Sequence, residues 1–225
     1  MESPGPEIDD EQAPPSMARA SLLRELPATP RGLRTRSALI AAARSVFESR
    51  GYLETKLSDI TTAAKCSAGT FYTYFGSKEE IFAAVLVVAQ EDMMHPGMPR
   101  MAEDGDPASI IEASNRAYFT AYQRNAKLMV LLEQVANIDP EFRELRRLRG
   151  EAFIGRNARS IENLQERGLA DRKLDAMLAS RALSGMVSRL AFGHFTTDDE
   201  LSLDDLVEAA TRLWVNALRI PAERV

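Results

Sequence analysis

The sequence predicts an all-α protein in two parts, an N-terminal three-helix helix-turn-helix unit and a longer C-terminal helical domain. Three observations carry that expectation. Apolar residues recur at three- and four-residue spacing, as in Leu57, Ile60 and Ala64 or Phe71 and Phe75. Asp106-Pro107 and Asp139-Pro140 each supply an N-cap followed by proline at the first helical position. From about residue 106 onward no stretch alternates polar and apolar residues for the length of a strand.

The elements follow in order. Residues 1–30 carry Pro4, Pro6, Pro14, Pro15, Pro27 and Pro30 among acidic side chains, a composition that predicts disorder. Arg31, Arg34 and Arg36 lead into a helix ending near Gly51, with Leu39, Ala43, Val46 and Phe47 facing inward. A short helix spans Leu57 to Ala64. Ser67 caps the next, from about Ala68 to Phe75, whose buried side holds Phe71 and Phe75. Ser77 and Glu80 have capping-box spacing and open a helix to about Met94. The Pro/Gly/Met stretch from His95 to Gly105 reads as a loop. Helices are expected at about 107–124, 126–137, 140–167, 172–195 and 203–219, the third ended by Gly168 and the last capped by Ser202 with Asp205 three on. Domain boundaries are expected at 1–30, 31–82 and 83–225.

Composition limits the function classes. With 225 residues, 45% hydrophobic and 27% charged, the chain has the make-up of a soluble globular protein. No apolar run approaches the roughly 20 residues of a bilayer span, and the first 30 residues lack the pattern of a secretion signal. One cysteine, Cys66, precludes an intrachain disulfide and suits a reducing cytoplasm. The net charge of −5 is unevenly spread: residues 1–30 hold two Arg against six acids, and residues 31–85 hold eight Lys and Arg against five acids. The basic excess therefore sits on the three-helix unit, where local phosphate contacts decide nucleic-acid affinity.

Two short helices joined by a tight turn, the second with a small polar outer face, suit a major groove of double-stranded DNA. The outward residues of that second helix are Ser67, Ala68, Gly69, Thr70, Thr73 and Tyr74. Small residues at its start allow close backbone approach, and its first amides suit a phosphate. No Arg, Asn or Gln lies on residues 67–75, so base reading would fall to Thr73, Tyr74, thymine-methyl contacts and DNA shape. Arg34 and Arg36 would add an arm on the backbone or minor groove.

Across about residues 34–82, Phe47-Glu48-Ser49-Arg50-Gly51-Tyr52, Thr55, Asp59-Ile60, Ala63-Ala64, Ser67, Gly69-Thr70, Tyr72, Tyr74-Phe75 and Ser77-Lys78-Glu79 agree in type and spacing with one pattern. The chain thereby resembles the DNA-binding domain of the TetR family of bacterial repressors. The resemblance implies phosphate contacts from Thr55, Tyr72 and Lys78. Two positions depart from the family pattern. Lys65 stands where glycine is usual, so a left-handed backbone there falls to a residue with a side chain. Lys56 stands where a second Thr is common, at the start of the first short helix.

One reading helix covers only a few base pairs, so a homodimer on an inverted repeat is expected. The last two helices carry broad apolar faces, with Ala182, Gly185 and Leu190 on one and Leu206, Ala210, Leu213, Trp214 and Ala217 on the other. The resemblance implies that these pair with their symmetry mates in a four-helix interface. Tyr118, Phe119, Tyr122, Met129, Phe153, Asn157 and Met186 are the candidates for a pocket taking a small, largely apolar effector.

Catalytic signatures are absent. His95 and His194 have no neighbouring ligands at metal spacing, and no nucleophile elbow, Walker or dinucleotide fingerprint occurs. No cofactor or membrane partner is called for. The expectation is a cytoplasmic, ligand-released repressor that is not an enzyme. The alternative is an all-helical interaction or sensor protein of the same fold, without specific DNA binding or without a small-molecule ligand.

Overall fold

In a computed structural model of the chain, residues 24–94, 105–196 and 201–221 are described. The expected loop at His95–Gly105, all but its last residue, and the first 23 residues lie outside them. Thr29 starts the first helix by accepting the Gly32 amide on its hydroxyl, with Pro30 at the first helical position. This helix, α1, spans Pro30–Arg50, and Gly51 ends it at φ 85°. Then come α2 (Leu57–Ala63), α3 (Ala68–Tyr74) and α4 (Lys78–Met94). The second half holds α5 (Pro107–Ile138), α6 (Pro140–Glu166), α7 (Ala176–Thr196) and α8 (Leu203–Leu218). No strand occurs among the described residues.

Three differences from expectation have local causes. Helices expected at 107–124 and 126–137 are one continuous α5. Asn125, at the supposed break, is 1% exposed and donates its side-chain amide to the Ala121 carbonyl, so the helix itself takes up that donor. Helix α7 begins at Ala176 and not near 172, because Asp175 caps it through the Leu178 amide while residues 171–174 form a turn. That turn is tied to Leu218 at the end of α8 by the Asp171 amide and to α6 by Gln165. Residues 24–29 are not free either: the Arg24 amide donates to Glu80 and its guanidinium to the Tyr72 carbonyl.

The helix α2 to α3 connection is a Schellman turn. The Cys66 amide donates to the Thr61 carbonyl and the Lys65 amide to Thr62, with Lys65 at φ 52°. A second one closes α8, where Arg219 takes φ 54°. Both use a cationic residue where glycine is the unstrained choice.

Helix α4 has no polar face over Ile81–Leu86, six consecutive residues that are all buried. Its neighbours on opposite sides, α1 and α5, account for this. Phe82 shows the junction in one ring: it meets Phe47 of α1 at 5.2 Å, Tyr52 at 4.8 Å and Phe142 of α6 at 5.5 Å. The expected domain boundary after residue 82 thus falls inside a helix common to both units. In the second unit α5 packs along α8, α7 and α6, and a gap between them opens a cavity.

Candidate functional site

The outward face of α3 is built from beneath. Phe71 and Phe75, both 0% exposed, seat the helix on the core of the first unit. Ser67 caps it, accepting the Thr70 amide at 3.1 Å and sharing a hydrogen bond with the Thr70 hydroxyl. Ser67, Ala68, Gly69, Tyr72 and Thr73 are exposed, and Thr73 bonds back to the Gly69 carbonyl. Tyr74 is half-buried against the core, which removes much of it from the outer face. A Cβ at Gly69 would meet only the Ser67 hydroxyl, at 3.7 Å, so the smoothness of this surface is a property of the sequence and not a demand of the fold.

Two of the residues expected at phosphates are committed elsewhere. Thr55 is 2% exposed and donates its hydroxyl to the Gly51 carbonyl at 2.6 Å, closing the loop after α1. Lys78 directs its ammonium at the carbonyls of Tyr52, Leu53 and Thr55, 3.0–3.5 Å away, and over the Tyr52 ring. All three of its donors are occupied within the fold. Tyr72 remains exposed. Arg36 lies over the Phe75 ring at 5.2 Å, half-buried, and desolvation lowers its pKa; Arg34 is exposed. Lys56 is the N-cap of α2, with its own amide held by Asp59 at 2.9 Å and its side chain exposed.

The cavity has a volume of about 810 Å³ and lies between α5, α6, α7 and α8. Of the expected pocket residues, Tyr118, Phe153 and Asn157 line it. Phe119 and Met129 do not: they are 0% and 7% exposed and belong to the general core. Tyr122 turns away to stack on Phe195 at 5.9 Å, and Met186 packs on the core outside the lining. Asn157 donates to Ser184 at 3.0 Å across α6 and α7. Residues outside the expected set complete the wall: Ile110, Ile111, Ser114 and Asn115 of α5, Arg156, Arg159, Ser160 and Asn163 of α6, Arg167 just beyond it, and Trp214 and Leu218 of α8. Spacing along α6 carries the missed signal, since positions 156, 159/160, 163 and 167 recur on one polar helical face.

Electrostatically the cavity is one-sided. Arg156 is desolvated and stands near Arg159, both of which lower its pKa. Close by, burial pushes Arg149 down to about 10, and Tyr118 is pushed up by the same cause.

The expected pairing residues divide in two. Leu206, Ala210 and Trp214 are at most 8% exposed within a single protomer, because that face of α8 packs on α5. They are core and not a pairing surface. Leu190 is half-buried against the same core. Ala182 and Gly185 on α7, and Leu213 and Ala217 on α8, are exposed. Met177 at 47%, Leu178 at 67% and Leu213 at 47% are large apolar residues exposed on these helices.

These features coincide with what comparison with known proteins finds. Residues 39–85 match the model of bacterial regulatory proteins of the tetR family, and residues 111–219 match that of the C-terminal domain of the transcriptional regulator EthR. The chain is 26% identical over 201 residues to the transcriptional regulator EthR of Mycobacterium tuberculosis, covering 84% of this chain and 93% of that one. It is 28% identical over 184 residues to the transcriptional repressor AcnR of Corynebacterium efficiens, at 79% and 93% coverage. A solved TetR-family regulator from Mesorhizobium loti superposes with a TM-score of 0.69 at 24% identity, over 84% of this chain and 98% of that one. No helix among the described residues is long and apolar enough to cross a membrane. With a tetR-type reader in its first half and an EthR-type helical domain in its second, the chain belongs to the TetR family of DNA-binding transcriptional regulators.

Proposed function

We propose that the protein is a cytoplasmic homodimeric repressor, released from an inverted-repeat operator by a small, largely apolar ligand in the cavity of the second unit. The observation that carries this reading is the outer face of α3: five exposed residues, none larger than Tyr72 and none charged, on a helix anchored by two fully buried rings. Such a face admits close backbone approach to base edges, and Tyr72, Arg34 and Lys56 surround it with donors for phosphate oxygens. Two copies, paired through the exposed strips of α7 and α8, would set their α3 helices about 34 Å apart, one turn of DNA.

The route from ligand to reader is supported by contact between the parts. Helix α5 lines the cavity from Pro107 to Tyr118, and further along it accepts the Arg44 guanidinium of α1 on the Arg124 carbonyl at 3.1 Å. Helix α6 also lines the cavity, and in its first turn Phe142 lies against Phe82. A ligand that wedges α5 from α6 therefore tilts α1 and α4, and with them the reader. Differential affinity of order 1–3 kcal/mol for the two states suffices.

The test is selection of bound duplexes from a random DNA pool at near-physiological salt. An inverted repeat is the expected product. Recovery of nothing above background from folded dimer would favour the second reading, an interaction or sensor protein of this fold. That reading draws on Thr55 and Lys78 being occupied internally and on the absence of Arg, Asn and Gln from residues 67–75.

A further inference from the structure

Both buried side-chain atoms of the cavity lining that lack a hydrogen-bond partner are donors: Nε of Arg156 and Nε1 of Trp214. Leaving such groups dry and unpaired costs about 1–3 kcal/mol each, and more where the group is charged. An occupant bearing acceptor oxygens removes that cost. The described lining contains three arginines, Arg156, Arg159 and Arg167, and no carboxylate, in a chain whose net charge is −5. Neither Arg156 nor Arg159 forms an ion pair among the described residues. Arg156 is half-buried while Arg159 and Arg167 are exposed, so the basic groups run from inside the cavity to its mouth. The rest of the wall is largely apolar.

We infer that the cavity takes an anionic amphiphile, with its carboxylate or phosphate head against Arg156 and Arg159 and its chain running between Ile110, Tyr118 and Val187. This rests on the reading of the cavity as an effector site and names the class of effector. The guanidinium fork suits either head group, since both present paired oxygens. Carrying its positive charge in a desolvated place, Arg156 gains more from an anion than an exposed arginine would. A neutral chain of the same length fills the same space but leaves the Arg156 guanidinium with the Phe153 ring, 5.1 Å away, and no anionic partner.

Trp214 is the single tryptophan of the chain and lies in the lining, so its fluorescence reports occupancy directly. The full-length protein is titrated with dodecanoate and dodecyl phosphate below their micellar concentrations and with dodecanol below its solubility limit, and with the duplex recovered by selection in a separate assay. Expected is saturable binding of both anions at least about tenfold tighter than dodecanol, the lower end of what a charge-assisted hydrogen bond contributes. The ranking of the two anions then tells a carboxylate head from a phosphate head. Arg156→Met and Arg159→Gln should each erode that advantage while leaving dodecanol affinity unchanged, with thermal melts confirming the fold. A structural role for these arginines would weaken all three ligands alike. Equal binding of dodecanol and the anions, or equal weakening by the variants, overturns the inference and leaves the effector cavity standing. If none of the three binds, the inference and the effector reading fall together. Tight anion binding that leaves duplex affinity unchanged supports the ligand class and overturns release.

Discussion

Lys65 holds φ 52° at the end of α2, a conformation that costs a residue with a Cβ about 1–2 kcal/mol relative to the right-handed region, and glycine nearly nothing. Lys65→Gly should therefore stabilise the protein by about 1 kcal/mol and raise the midpoint of thermal unfolding by roughly 2–4 °C. An unchanged or lowered midpoint would show that the lysine side chain returns the strain through contacts of its own. On α3 the prediction runs the other way. Gly69→Glu meets no obstacle in the fold, since its Cβ would find only the Ser67 hydroxyl at 3.7 Å. Its carboxylate would stand on the proposed groove-facing surface, where like charge costs several kcal/mol. The melt should move little and duplex binding should fall by roughly a hundredfold or more; retained binding would place the groove contact elsewhere. The αL lysine was legible before any coordinates, because the resemblance to the TetR pattern puts glycine at that turn position, and the structure gives Lys65 φ 52°. The internal commitments of Thr55 and Lys78 were not, since a hydroxyl and an ammonium satisfied by loop carbonyls look in sequence like the same groups offered to a phosphate.

At the scale of elements, helix starts were the most legible feature, because capping is local chemistry. Asp106 accepts the amides of Ala108 and Ser109 and the Ser109 hydroxyl. These donors, the Ser109 hydroxyl foremost, hold its pKa below the usual 3.8. A depressed carboxyl contributes stability that is present above the unfolded value near 3.8 and is lost as pH falls through the lower folded one. Asp106→Ala should thus cost about 1 kcal/mol near neutral pH, and the gap between the two proteins should close below pH 3.8, as denaturant melts across pH will show. Helix ends and faces were harder. Helix α8 has apolar residues on two sides, and periodicity alone cannot say which side meets α5; Trp214 and Leu213 are adjacent in sequence yet 8% and 47% exposed. Leu213→Glu tests the assignment of the outer side. Sedimentation should show a folded monomer if the strips of α7 and α8 pair, and an unaltered dimer would move the interface.

For the whole molecule, charge is segregated, with the basic excess on residues 31–85 of a chain that is acidic overall. Duplex affinity should follow the local excess: for a dimer making six to ten phosphate contacts, raising salt from about 50 to about 200 mM should weaken binding by roughly 10³–10⁵. A flat salt response would argue against backbone contacts from Arg34, Lys56 and Tyr72. The Phe82 ring has a thermodynamic consequence at this scale. One side chain touches rings of α1, of the loop after it and of α6, so the core of the first unit runs into that of the second as one cluster of buried residues. Calorimetry should record a single endotherm whose van't Hoff and calorimetric enthalpies agree, and heat would silence reader and cavity in the same step.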